Sequence, residues 1–251
     1  MKKQLTITSD IIRALKNSPY KEPSKAIREI VDNCLIGLSL TKPKRKIEIN
    51  YYLETKDSPI PDRITIVDNG IGMTKERKEN AYYTVKEEDG KTEHGGTSTH
   101  GIGANQAALY LGNFGEVISS TKDEVSKSQI TYPKGESPTI NYVDNFTQSD
   151  FQKTHELFKD GHGTLVEIIN IDKSKWDKNW WNTTSAQKYN KLLARIYRLL
   201  LNDGKISITV NRHNQDGTLD YKLIEPAIVP LDNGLHDSDA TKNYLDSHRN
   251  G

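Results

Sequence analysis

Apolar residues recur in short blocks set between long polar stretches. The strongest block follows Pro23. Ile27, Ile30, Val31, Cys34, Leu35 and Leu38 fall at i, i+3, i+4 spacing, a single stripe that predicts an amphipathic helix. Ahead of it, Thr8, Ser9 and Asp10 offer N-caps to a shorter helix over 8–15. Residues 46–53 and 63–68 alternate and predict strands, the second running into Asp-Asn-Gly. Residues 104–112 predict a short helix after a Gly-rich turn, and strands are expected at 115–121, 128–132 and 164–170. The polar stretch 133–160 reads as loop with one short helix. Residues 185–201 predict a further amphipathic helix, with Tyr189, Leu192, Leu193, Ile196 and Leu200 on one face. Strands at 205–211 and 221–228 complete the pattern. This order is not a regular βαβ alternation, so it predicts an α+β fold with a mainly antiparallel sheet.

Composition narrows the classes. Of 251 residues 34% are hydrophobic, which leaves a modest core or a large working surface. The 35 Lys and Arg nearly balance the 34 Asp and Glu, so the chain is not a strongly cationic nucleic-acid binder. No run approaches a membrane span, and no apolar signal region follows Lys2 and Lys3. The single Cys excludes a disulfide framework and fits a reducing, cytoplasmic setting. Cys34 sits on the apolar stripe and reads as core, and the basic run 42–46 reads as a solvated loop. Residues 74–100 are dense in charge and glycine, and so long a loop within a domain is usually functional.

Four segments carry candidate chemistry. Glu29 and Asn33, four apart, share a helix face away from the apolar stripe. The amide oxygen is a hard ligand suited to Mg²⁺, and the carboxylate can take a proton from water. Asp68 ends a strand before Asn69-Gly70-Ile71-Gly72-Met73. A carboxylate there can accept from a ligand amino group, the glycines allow close backbone approach, and Met73 can floor a flat ring. Gly101, Ile102, Gly103 and Ala104 lead into a helix whose first amides attract phosphate. Gly163-Thr164 opens a strand with a hydroxyl. Neither a P-loop nor a dinucleotide fingerprint is satisfied, since Val85 and Gln106 stand where glycine is required.

In this order the four segments resemble the GHKL superfamily of ATPases, which includes the gyrase B subunit, the ninety-kilodalton heat-shock chaperone, histidine kinases and MutL. Glu29 and Asn33 resemble its N-box, Asp68-x-Gly70-x-Gly72 its first glycine box, and His100-Gly101-Ile102-Gly103 its second. Ala26-Ile27-Arg28-Glu29-Ile30-Val31-Asp32-Asn33 is similar in wording to the microrchidia (MORC) and MutL/gyrase branch, although Leu35-Ile36-Gly37 replaces the Asp-Ala of many relatives. The resemblance implies a two-layer Bergerat sandwich over residues 1–230, with helices on one face of the sheet and a lid over 74–100. It implies that Asp68 and Thr164 meet the adenine, with Gly70, Gly72 and Met73 around it. It further implies Asn33 on Mg²⁺, the amides of Ile102, Gly103 and Ala104 on the phosphates, and Glu29 on the attacking water. Residues 231–251 are expected to lead toward a domain that contributes a γ-phosphate lysine, so hydrolysis by this chain alone should be weak. The implied roles are an ATP-gated homodimer and a DNA or DNA-processing partner, in a DNA-related or phage-defence system. A chaperone-like ATPase and a non-hydrolysing nucleotide sensor are the alternatives.

Overall fold

Helix α1 (Pro23–Cys34) starts with proline in its first turn, where the missing N–H is not needed. Ala26, Ile27, Ile30, Val31 and Cys34 are buried, the stripe expected up to Cys34. These coordinates form a computed structural model that describes residues 2–4, 20–36, 44–55, 58–79, 103–131, 139–178, 180–181 and 183–224. The helix expected over 8–15, Leu38, the lid from residue 80 onward, Gly101, Ile102 and the segment after 224 lie outside the described residues.

The strands are β1 (Lys2–Gln4), β2 (Arg45–Tyr52), β3 (Arg63–Asp68), β4 (Asn113–Thr121), β5 (Val125–Thr131), β6 (Thr139–Tyr142), β7 (His162–Ile169), β8 (Ile206–His213) and β9 (Leu219–Ile224). Among the described residues they form one nine-stranded sheet in the order β1-β6-β5-β4-β7-β3-β2-β8-β9. All pairings are antiparallel except β2 with β8, so the sheet is mixed and mainly antiparallel, as expected. β6 was not expected: four residues among polar ones carry too short an alternation to stand out, and the pairing with β5 and β1 makes it a strand.

Side chains alternate across the sheet. Ile47, Ile49 and Tyr51 of β2, Ile64 and Ile66 of β3, and Ile206, Ile208 and Val210 of β8 join the main core. α1 and α2 (Gly103–Leu111) pack against each other over this face, with Ala107, Ala108 and Leu111 buried. Full burial of each such Ile or Leu stabilises by roughly 1.5–3 kcal/mol relative to exposure. The sandwich carries an addition on the other face. Val67 and Ile118, each next in sequence to a main-core residue, form a second core with Phe151 and Phe158. Phe151 lies on α3 (Gln148–Thr154), a helix started by a capping box between Thr147 and Asp150.

The expected helix over 185–201 is two: α4 (Thr183–Ile196) and α5 (Arg198–Asn202). Its buried face runs through Asn190, Leu193, Ala194, Tyr197 and Leu201, while Ile196 and Leu199 are 38% and 65% exposed. Tyr197 ties this face to α1, because its hydroxyl donates to the Asp32 carboxylate at 2.6 Å.

Candidate functional site

Glu29 and Asn33 stand half-buried on α1. The Asn33 amide nitrogen turns back to donate to the Glu29 carbonyl at 3.2 Å, which leaves its oxygen as the end able to meet a cation. That orientation fits the Mg²⁺ ligand expected there. Burial pushes the Glu29 carboxyl above its ordinary value, the Asp32 charge adds to the rise, and Arg28 opposes it. Glu29 faces the first residue of α2: a Cβ on Gly103 would stand 2.8 Å from its carboxylate oxygen. The two motifs therefore meet in space, with Ala104 buried one residue further on. Tyr20 adds a contact that the sequence did not signal, donating from its hydroxyl to the Gly103 carbonyl at 3.4 Å. Burial, and then the Glu29 charge, push that phenol up to about 12.

Asp68 ends β3 and is buried. It opposes Ile47 on β2 and Thr164 on β7, so it shares the helix-covered face with Ile47. Its Oδ1 accepts from the Gly70 amide at 2.6 Å. Burial raises the carboxyl to about 6, while Arg45, the Gly70 amide and the Cys34 thiol pull it down. Cys34 is a core residue, as expected, and its thiol also touches Asp68.

The turn after Asp68 presses onto the sheet. Gly72 has φ +73°, and a Cβ there would overlap the Ser120 carbonyl. Only glycine fits both conditions. The Met73 amide donates to Ser119 Oγ at 2.8 Å, and Met73 packs on the edge of the core. Ser119 Oγ donates to the Gly163 carbonyl at 3.0 Å and lies 2.8 Å from Thr164 Oγ1. Ser119 thereby joins the glycine turn to Gly163-Thr164. Its hydroxyl lies in an ordinary-looking strand, and nothing in the sequence singled it out. His162 donates from Nδ1 to the Gly70 carbonyl at 2.6 Å, beside a cleft of about 400 Å³ that Arg45, Ile71 and Lys122 also line.

A family described as Histidine kinase-, DNA gyrase B-, and HSP90-like ATPase matches residues 20–164. The chain belongs to that family. The matched span begins at Tyr20, contains Glu29, Asn33, Asp68 and Gly103, and ends at Thr164. Membership makes the fold an ATP-binding sandwich of the GHKL type. A comparison with curated proteins gives no match.

Two further residues differ from expectation. Arg45 belongs to the basic run read as a solvated loop, yet it is only 6% exposed and opens β2. The signal was present, since Arg45, Ile47, Ile49 and Tyr51 keep one period-2 face. Lys78, at the root of the expected lid, is fully buried, and its ammonium reaches the Ser126 carbonyl at 3.2 Å and Ser128 Oγ at 3.4 Å. Among the described residues no helix is long and apolar enough to cross a membrane.

Proposed function

We propose that the chain binds ATP with Mg²⁺ and hydrolyses it slowly, and that binding gates the pairing of two copies. The observation that carries this reading is the Glu29 carboxylate against the first residue of α2. The start of that helix attracts the terminal phosphates. A carboxylate beside it, with its proton affinity raised by burial, suits a base for the attacking water. Asp68 accepts the adenine amino group with Thr164 nearby. Gly70, Gly72 and Met73 shape the base pocket, and the amides of Ile102, Gly103 and Ala104 hold the phosphates. Asn33 would hold the Mg²⁺, which supplies charge neutralisation on the phosphates when bound. Residues 1–230 form the nucleotide domain, with 74–100 closing over it.

The wording of the Glu29 segment supports a place near the MORC and MutL/gyrase branch, and so a DNA-related or phage-defence role. Phosphoryl transfer rests on positioning and charge stabilisation. Glu29→Gln should therefore abolish single-turnover hydrolysis while ATP still binds. Equal rates in the two proteins would remove Glu29 from the base role. Sedimentation with a non-hydrolysable ATP analogue tests the pairing, and a single species of monomer mass would sink it. DNA-stimulated turnover that falls as salt rises separates a nucleic-acid partner from a protein client.

A further inference from the structure

Asp68 is a buried acid, and its protonation state decides what it can recognise. An ionised carboxylate only accepts hydrogen bonds, whereas the neutral acid also donates. A base carrying an amino group suits the first form. A base carrying a carbonyl at the same place is repelled by it, and its oxygen goes unpaired. Burial works toward the neutral form.

Arg45 opposes that tendency from a fixed position. It lies on the same face of β2 as Ile47, the residue directly opposite Asp68, so the two are diagonal neighbours. Both crowd one point: a Cβ on Gly70 would collide with the Asp68 carboxylate and stand 2.6 Å from Arg45 Nη1. The guanidinium is not free to leave, because it donates to the Cys34 carbonyl and, at 3.4 Å, to the Ile36 carbonyl at the end of α1. The Cys34 carbonyl is among those that a helix leaves without internal partners. Among the described residues, the other groups facing Asp68 are neutral: the Cys34 thiol from α1, the Gly70 amide, and Thr164 across on β7.

We propose that Arg45 is a positioning residue for base selection: clamped to the end of α1, it holds Asp68 as a carboxylate and so makes the site prefer an amino-bearing base to a carbonyl-bearing one. This inference rests on the nucleotide reading of the site. It adds the residue that sets the charge of the recognising group.

The experiment compares wild type with Arg45→Gln, which keeps N–H donors for the helix carbonyls but removes the charge, and with Arg45→Lys, which restores it. Circular dichroism first establishes that each variant is folded. In the empty protein, the Asp68 carboxyl is titrated by carbon-13 NMR. Its midpoint should rise by about one pH unit or more in Arg45→Gln and return toward wild type in Arg45→Lys. ATP and GTP affinities are then measured by calorimetry at acid, neutral and alkaline pH. Near neutrality, Arg45→Gln should lose about tenfold in ATP affinity for each unit by which the midpoint exceeds the working pH. It should regain affinity as pH rises, and its preference for ATP over GTP should narrow wherever the acid is neutral. An unmoved Asp68 midpoint in folded Arg45→Gln would overturn the proposal, as would an unchanged ATP/GTP ratio at all three pH values. A shifted midpoint in a wild-type protein that binds neither nucleotide would overturn the role in base selection together with the nucleotide reading, and the charge coupling would stand by itself.

Discussion

Asp68 shows how function and stability oppose each other in one side chain. Its folded-state proton affinity, about 6, lies above the ordinary 3.8, so the folded chain binds the proton more tightly than the unfolded chain. The stability from this group is fully present below the unfolded value and is lost as pH rises through about 6. At neutral pH the empty protein thus carries the burden of a buried charge. Asp68→Asn is expected to stabilise it by about 3 kcal/mol at pH 7, with the gap shrinking below about 1 kcal/mol near pH 4. Denaturant unfolding at the two pH values measures this, and the same variant should lose ATP binding in calorimetry. The Gly72 position makes a second prediction. Gly72→Ala meets both a left-handed φ and the Ser120 carbonyl, whereas Gly204→Ala meets φ +67° with nothing within 4 Å. The first should destabilise by roughly 3 kcal/mol or more and the second by about 1 kcal/mol in urea titrations. Equal effects would show that the turn relaxes away from the sheet. Glu29, Asn33, Asp68, Gly72, Gly103 and Thr164 were all legible as candidates, because each is a chemical type at a fixed spacing. Ser119 and Tyr20 were not, because one hydroxyl in a strand and one phenol before a helix acquire a role only from the partners that the fold brings to them.

Elements were legible where a period ran long enough. β3 matches its expected residues, and α1 follows its stripe, because burial on one face imposes the period that the sequence displays. The helix over 185–201 misled for a physical reason. Apolar spacing assigned Ile196 to the core, but Tyr197, bonded to Asp32, takes the buried position beside it and Ile196 turns out, while the helix is interrupted at Tyr197 between α4 and α5. The helical turn Lys75–Arg77, capped by Thr74, brings Lys78 under the sheet between β4 and β5. Burial lowers its ammonium from 10.5 to about 7, with the Glu124 and Glu79 charges holding it up and Lys75 pushing it down. The unfolded chain therefore binds more protons between these values, and stability from this group rises with pH across about 7 to 10.5. Lys78→Met should remove that rise. Its stability advantage over wild type should be largest near pH 7 and shrink toward pH 10, as followed by chemical unfolding. A constant gap would mean that the ammonium stays charged in place.

For the molecule as a whole, ligand and fold are linked by mass action. Mg²⁺-ATP at a hundred times its Kd should stabilise the folded chain by about 2.7 kcal/mol, read as a thermal shift. Removing Mg²⁺ with chelator should reduce the shift, and Asp68→Asn should erase it. An equal shift in that variant would place the nucleotide elsewhere. The candidate residues from Glu29 to Thr164 all fall inside the matched span, yet the sheet beneath them does not close within it. β2 pairs along its whole length with β8, from Arg45 with Ile206 to Tyr52 with His213. A chain emerging from the ribosome thus completes its nucleotide motifs long before β2 gains its second neighbour. Contacts so distant in sequence form late and slowly. Until then the flank of β2 presents open backbone donors and acceptors, a template for another chain. A fragment trimmed to residues 20–164 would retain that flank permanently, and it would precipitate where the longer chain stays dispersed.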